Sequence, residues 1–262
     1  MAEANSCVLS IAGFDPCGGA GILADIKTFE ANKVCGVGAL SALTFQNDTT
    51  FENVTWIETD EILKQISILK KRFAFSVIKI GLIKNLETLE TIISDCRRSV
   101  PGCLIIWDPI VWASAGFQFH NYFERRQLFP VLENCFLITP NTEEVKFLAG
   151  INNPVEASQE LAKYCNVLLK GGHNKEEPGV DYLFMHNKIE KIFPTETEVF
   201  PKHGSGCVLS SAIASNLAAG NDLITSCHNA KNYVEHFLSS NQTLLGTHYV
   251  HQDAIHIARF HR

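Results

Sequence analysis

Residues 7–32 read CVLSIAGFDPCGGAGILADIKTFEAN: a short apolar run, a glycine-rich turn and an amphipathic stretch. The run CVLSIAG predicts a buried β-strand. In the stretch that follows, Ile22, Ile26 and Phe29 recur at intervals of three and four residues. That spacing predicts a helix with one apolar face. A strand, a tight turn and a helix form the repeating unit of α/β proteins, and the same alternation recurs along the rest of the chain.

Three later apolar runs have the composition of central strands. They are CLIIWDP (103–109), CFLITPN (135–141) and NVLLKGG (166–172). Each is almost continuously apolar and ends in polar or turn residues, which is typical of parallel strands buried on both faces. The segment 179–194, GVDYLFMHNKIEKIFP, instead contains two β-type runs around a polar pair. It predicts an antiparallel hairpin.

Amphipathic stretches separate these strands. Helices are expected over 60–73, with Asp60 as the N-cap, over 85–99, with Asn85 as the N-cap, and over 121–132. Alternation of strands and helices implies a parallel sheet with helices on both sides. We therefore predict an α/β fold for the whole 262-residue chain as a single domain: a central, mostly parallel sheet flanked by helices on both faces, with a small antiparallel hairpin.

The composition limits the class of function. Hydrophobic residues make up 46% and charged residues 19% of the chain, as in a globular protein. A net charge of -6 argues against a nucleic-acid partner bound through a broad basic surface. We also expect no membrane partner, because no apolar stretch approaches the roughly 20 residues that cross a bilayer. The nine cysteines lack a C-x-x-C pair, and there is no secretory signal, so reduced thiols and a cytoplasmic location are expected.

Polar residues cluster where the predicted strands end. In open α/β sheets, ligands bind at the carboxyl ends of the strands. A rim rich in Gly, Asn, Asp, Lys and Gln suits a polar ligand of several parts. The segments at these ends are GFDPCGGAG (13–21), QN (46–47), GLIKN (81–85), DP (108–109), TPNTEE (139–144) and KGGH (170–173).

The stretch HGSGC, residues 203–207, precedes a long run of small and apolar residues. A helix that begins here exposes unpaired N–H groups and the positive end of its dipole, and glycines let the backbone curl around an anion. A cysteine in the first turn would have a lowered pKa. The competing interpretation is a glycine turn before a buried helix, with Cys207 as a small core residue. Short glycine motifs leave both interpretations open.

Charged residues at other strand ends have two interpretations each. Asn141 and Glu144 begin a predicted helix, where they cap it and where a carboxylate could also organise hydrated Mg²⁺. Asp108 and Lys170 end buried strands, and charges of both signs there suggest a charged ligand more than a stabilising pair. Asp25 lies one turn inside the first helix, either at the rim or on a solvated face.

Taken in order and spacing, several segments resemble the hydroxymethylpyrimidine/phosphomethylpyrimidine kinases, ribokinase-like enzymes close to the pyridoxal kinases. The resemblance implies a ribokinase-like fold. It also implies ATP-dependent phosphorylation of the hydroxymethyl group of 4-amino-5-hydroxymethyl-2-methylpyrimidine, and of the resulting monophosphate, in thiamine biosynthesis. The segments are SIAGFDPCGGAGILADIKTFEA, LTFQN, IKIGLI, DPIV, LITPNTEE, LKGGH, DYLF and HGSGCVLSSAIA, spanning about residues 8–237.

The same resemblance assigns roles to residues. The turn at 204–206 would be the anion hole for the transferring phosphoryl group, and Cys207 the base or positioning group for the substrate hydroxyl. The aminopyrimidine would be bound by Gly13, Ala20, Asp25, Gln46 and Leu82. Phosphates and Mg²⁺ would be contacted by the remaining site residues, Glu144 and Asp108 through the metal. The full candidate set is Gly204, Ser205, Gly206, Cys207, Gly13, Ala20, Asp25, Gln46, Leu82, Asp108, Asn141, Glu144, Lys170, Lys202 and His203.

Three positions depart from the family pattern. Ser114 replaces a lysine, Lys202 replaces a threonine, and Leu82 replaces a methionine of similar volume. We hypothesise that Lys202 partly restores the charge lost at Ser114. These changes bear on the second phosphorylation more than on the fold.

The resemblance also implies ATP and Mg²⁺ as cofactors and a homodimer, and leaves a monovalent cation open. The nearest alternative function is a pyridoxal/pyridoxine kinase, or a dual-substrate enzyme, acting on a pyridine alcohol. A nucleotide-binding regulator without chemistry is a further alternative. An NAD-dependent dehydrogenase is the most distant one, because GVGALS (36–41) lacks the third glycine of the dinucleotide fingerprint and DPCGGAGILAD is no P-loop.

Overall fold

The computed structural model describes residues 7–173, 177–186, 188–195 and 198–249. These residues form one mostly parallel β-sheet with helices on both faces. Its strands are β1 Cys7–Phe14, β2 Cys35–Gln46, β3 Phe51–Trp56, β4 Phe75–Ile80, β5 Leu104–Trp107, β6 Leu137–Ile138, β7 Asn166–Leu169, β8 Asp181–Met185 and β9 Lys188–Ile192. Its α-helices are α1 Gly21–Ala31, α2 Thr59–Lys70, α3 Leu86–Ser99, α4 Arg125–Glu133, α5 Thr142–Ala149, α6 Pro154–Leu161, α7 Ser205–Ala218 and α8 Leu223–Ser239.

The strand order is β3-β2-β1-β4-β5-β6-β7-β8-β9. The six strands β2, β1, β4, β5, β6 and β7 pair in parallel, whereas β3 and the pair β8–β9 are antiparallel. The predicted fold and the antiparallel strands of the hairpin are therefore confirmed. The hairpin's turn residue Asn187 lies outside the described residues.

Each face of the sheet carries its own apolar core. Helices α2 to α6 cover one face, and α1, α7 and α8 cover the other. Strand β4 shows how the alternation works, since Ile78 and Ile80 belong to the first core and Val77 to the second. Lys79 therefore points toward α1 and α7. A polar side chain on this face is sealed between the sheet and two helices.

Two helix starts differ from the prediction. Helix α2 begins at Thr59 with Glu58 as the N-cap residue, so Asp60 lies in the first turn and does not cap it. There it complements the helix dipole. Helix α4 begins only at Arg125, because the preceding Phe123 packs against other rings: His120 lies 4.7 Å and Phe147 5.4 Å from it. The prediction for Asn85 is confirmed by its bond from the Thr88 N–H.

None of the described helices combines the length and the apolar character that a bilayer crossing requires.

Candidate active site

The strand order changes direction at β1: strands β2 and β3 are added on one side of it, and β4 and the later strands on the other. A crevice opens at such a switch point, beyond the carboxyl ends of the two strands. The glycine-rich turn after β1 and the turn before α7 both reach this crevice. They touch closely: a methyl group placed on Gly204 would lie 2.0 Å from Gly19 O and 2.7 Å from Ala20 Cα. A side chain at Gly204 is therefore excluded.

Helix α7 begins with an open N-terminus. Gly204 is its N-cap residue, with φ 76°, and no side chain caps the first turn. Ser205 and Gly206 are half-buried, so this first turn is partly accessible. Lys170 adds a positive charge, since its Nζ lies 3.2 Å from the position of a methyl group on Gly206. Unpaired N–H groups, the helix dipole and an ammonium group together make a site for an anion.

Asp15, which the sequence analysis did not single out, organises the opposing turn. Its carboxylate accepts bonds from the N–H groups of Cys17, Gly19 and Ala20 at 2.8–3.1 Å. His203 Nε2 lies 3.0 Å from Asp15 Oδ2, which ties the turn to the start of α7. Burial raises the pKa of Asp15, but the bonds from His203, Cys17 and Ala20 outweigh it, so the pKa is lowered overall. An aspartate directly before a glycine-rich turn was the available signal.

Cys207 lies in the first turn of α7, 6% exposed. The predicted lowering of its pKa is wrong. Burial raises the pKa of the thiol to about 11, although Lys79 and the N–H of Gly21 act in the opposite direction. Desolvation therefore exceeds the effect of the helix terminus, and the side chain is a neutral thiol at pH 7.

Asp25 is fully buried, so the interpretation that it lies on a solvated helix face is wrong. Its carboxylate makes an ion pair with Lys79 Nζ, 2.9 Å from both oxygens. The hydroxyls of Ser10 and Ser211 also donate to it, at 2.6 and 2.7 Å. Both carboxylate oxygens of Asp25 thus accept hydrogen bonds from residues of β1, β4 and α7, and Asp25 links these elements beneath the site. The lone lysine in the apolar run SVIKIG was a signal for such a buried counter-ion.

Three of the predicted substrate residues, Gly13, Gln46 and Leu82, lie together at the carboxyl ends of β1, β2 and β4, and we refer to them as the predicted pocket. A methyl group on Gly13 would lie 3.2 Å from Leu82 Cδ2 and 3.7 Å from Thr44 Cγ2. Gln46 Nε2 donates to Thr44 Oγ1 at 2.9 Å, which holds its amide beside the same glycine. Because a methyl group on Gly21 would lie 2.2 Å from Gly13 O, this pocket adjoins the turn that leads into α1.

Asp108 and Lys170 lie together beyond β5 and β7. Lys170 Nζ is 2.9 Å from Asp108 Oδ1 and 3.6 Å from Glu144 Oε2. The two charges do form a buried ion pair with each other, and their role toward a ligand stays a prediction. Burial raises the pKa of Asp108, but Lys170 and Lys79 outweigh it and lower the pKa overall, whereas burial and the nearby Asp108 raise the pKa of Glu144.

Asn141 caps α5, as one interpretation predicted. It accepts bonds from the N–H groups of Glu143 and Glu144, and Glu144 in turn accepts from the Asn141 N–H at 2.7 Å. The carboxyl groups of Asp108 and Glu144 are almost fully buried beside Lys170. This donor set fits a Mg²⁺ ion held through water, because Mg²⁺ keeps several waters and contacts few carboxylates directly.

Lys202 does not support the hypothesis of a replacement phosphate contact. Its Nζ donates to Asn241 O at 2.5 Å and lies 5.5 Å from the centre of the Phe200 ring. Burial lowers its pKa. The ammonium group therefore fixes the segment after α8. Ser114, at the tip of the turn between Ala113 and Phe117, is exposed.

The fold and this site define an α/β phosphotransferase of the ribokinase-like type. Its features are an open, mostly parallel sheet, a crevice at the switch point, and an anion site at the N-terminus of α7, formed by residues 204–206 with Lys170, which we call the anion cup. The chain belongs to the phosphomethylpyrimidine kinase family, whose model matches residues 15–252.

Named relatives agree with this assignment. The chain is 30% identical to the hydroxymethylpyrimidine/phosphomethylpyrimidine kinase of Aquifex aeolicus, covering 90% of this chain and 95% of the relative. Among solved structures it is similar to the phosphomethylpyrimidine kinase of Clostridium difficile, with 28% identity, a TM-score of 0.74 and coverage of 87% and 97%. It is also similar to the pyridoxal kinase of Bacillus subtilis in an ADP complex, with 25% identity, a TM-score of 0.75 and coverage of 87% and 89%.

Proposed function

We propose that the protein transfers the γ-phosphoryl group of ATP to the hydroxymethyl group of 4-amino-5-hydroxymethyl-2-methylpyrimidine, and then phosphorylates the monophosphate, in thiamine biosynthesis. One observation carries the proposal. The three residues of the predicted pocket, Gly13, Gln46 and Leu82, adjoin the turn that meets the uncapped N-terminus of α7. An alcohol bound in the first would lie beside phosphate bound at the second.

The chain's own residues supply positioning and charge. Phosphoryl transfer depends on orientation and electrostatic stabilisation more than on covalent chemistry. We assign the N–H groups of Ser205 and Gly206 to the binding of the phosphoryl oxygens. Lys170 is assigned to the binding of the phosphates, because its Nζ lies next to Gly206. Asp108 and Glu144 would hold the cation through water. A bound Mg²⁺ supplies neutralisation of phosphate charge.

Cys207 is assigned the orientation of the substrate hydroxyl. With a pKa of about 11, its thiol is protonated in the free protein and accepts or donates a weak hydrogen bond without taking a proton. Asp25 holds α1, β4 and α7 in register beneath the pocket, through Lys79 and Ser211.

The test is a direct comparison of substrates. Purified protein with ATP and Mg²⁺ is expected to release ADP with hydroxymethylpyrimidine and to form first the monophosphate and then the diphosphate, measured by mass spectrometry. A kcat/KM for pyridoxal above that for the pyrimidine would establish the alternative function, pyridoxal kinase. ATP binding without turnover of either compound would favour a regulator.

A further inference from the structure

The amide of Gln46 is held in one of its two orientations. Thr44 Oγ1 lies 2.7 Å from the main-chain oxygen of Phe14 and 2.9 Å from Gln46 Nε2. A carbonyl oxygen has no proton to give, so at 2.7 Å the single hydroxyl hydrogen of Thr44 must point to Phe14 O. The hydroxyl oxygen can then only accept a bond from Gln46. The group that faces it must therefore be the amide NH₂.

The other groups of the amide remain available to a ligand. An amide NH₂ has two hydrogens, and Thr44 accepts one of them. Within the described parts of the chain, Gln46 Oε1 makes no hydrogen bond. Thr44 is only 5% exposed, while Gln46 is half-buried beside the pocket of Gly13 and Leu82. A bound ring thus meets one acceptor and one donor in a fixed order.

We propose that Thr44 is a specificity-determining positioning residue, which fixes the order of acceptor and donor that Gln46 presents to the substrate ring. The inference rests on the proposed function, in which the ring lies against Gln46. An aminopyrimidine edge offers a donor amino group next to an acceptor ring nitrogen. The 4-oxo counterpart offers an acceptor oxygen next to a ring N–H, which is the reverse order.

The locked amide matches only the first of these two edges. Against the 4-oxo ring, acceptor would face acceptor and donor would face donor, which leaves buried polar groups unpaired. A free glutamine amide would turn over and match either edge, because its last torsion has two nearly equivalent states. The selectivity therefore comes from Thr44, although Thr44 itself need not touch the ligand.

The experiment measures one ratio in four proteins. The ratio is kcat/KM for 4-amino-5-hydroxymethyl-2-methylpyrimidine over that for 5-hydroxymethyl-2-methylpyrimidin-4-one. We expect about 10²-fold in the wild type, from two mismatched hydrogen bonds. Thr44→Ser keeps the hydroxyl and should keep the ratio. In Thr44→Val the ratio should fall by about tenfold or more, mainly through faster turnover of the 4-oxo compound. Thr55→Val, on exposed β3, is the matched control and should not change it.

The outcomes separate the inference from the function on which it rests. A folded Thr44→Val protein with the wild-type ratio would overturn the inference alone, as would a wild type that does not distinguish the two rings. If the wild type turns over pyridoxal and neither pyrimidine, the proposed function fails and the inference fails with it. Thr44→Ala, checked by circular dichroism, replaces Thr44→Val if the valine variant does not fold.

Discussion

At the sulfur of Cys207, burial and the helix dipole act in opposite directions. Burial wins, and the pKa of the thiol rises to about 11. At pH 7 only about one thiol in 10⁴ would be ionised in the free protein. A group in this state orients a hydroxyl by hydrogen bonding and does not act as a strong base.

We predict that Cys207→Ala lowers kcat by roughly 10²-fold with a modest change in KM, because an orienting contact at the reacting hydroxyl is lost. Cys207→Ser should keep kcat within about tenfold of the wild type, since its hydroxyl makes the same kind of bond. Steady-state kinetics with the pyrimidine measures both. Cys227→Ala, a buried cysteine on α8, is the control and should leave kcat unchanged.

The pH dependence of the rate decides between orientation and base catalysis. A thiol with a raised pKa stays protonated from pH 7 to 9 and loses its proton only near pH 11. We therefore expect no titration of Cys207 in kcat/KM between pH 7 and 9. A rise of about tenfold per pH unit in that range, absent from Cys207→Ser, would show instead that the thiolate is the reactive form.

At the scale of elements, the contact between the two glycine turns determines whether the anion cup exists. Gly204 has φ 76° and no room for a side chain next to Gly19 O. Gly220, at the other end of α7, has φ 91° but open space around it. Comparing alanine substitutions at the two glycines therefore separates the effect of backbone strain on stability from the effect of a steric clash.

We predict that Gly220→Ala lowers the free energy of unfolding by about 1 kcal/mol, from strain alone. Gly204→Ala should cost several times more, because the turns must move apart, and should abolish ATP binding. Urea denaturation and calorimetric ATP titration measure the two effects. Equal stability losses in the two variants would contradict the contact described here.

The sequence predicted the strands and helices better than it predicted which side chains pair with one another. Apolar periodicity identified the strands, most helices and the polar rim, because these depend on local patterns. The pairing of Asp25 with Lys79, 54 positions away, and of Asp108 with Lys170, 62 positions away, depends on strand order, which no local pattern encodes. The pKa of Cys207 was mispredicted because the sequence shows the helix terminus but not the degree of burial. Burial is a property of the assembled fold.

For the whole molecule, the resemblance implies a homodimer, and an exposed apolar patch lies near one edge of the sheet. Leu43 is 38% and Phe45 50% exposed on β2, beside the edge strand β3. Exposed apolar patches commonly mark contact surfaces. We propose that a second copy of the chain covers these two side chains.

We predict that the wild type has the mass of a dimer in light scattering and that Phe45→Glu shifts it toward the monomer, because a buried charge without a partner is costly. Ile68→Glu is the matched control. Ile68 is 59% exposed on α2 and should tolerate the charge. A monomeric wild type, or equal dissociation by both variants, would rule out this surface.

The bond between Asp15 and His203 joins residues 188 positions apart. Half of the phosphate cradle is thus made early during synthesis and the other half only when most of the polypeptide has left the ribosome. A nascent chain that stops before α7 has the central strands and Lys170, but it lacks the helix N-terminus to which we assign the phosphoryl group. We therefore expect a chain truncated before α7 to bind ATP more weakly than the 262-residue chain.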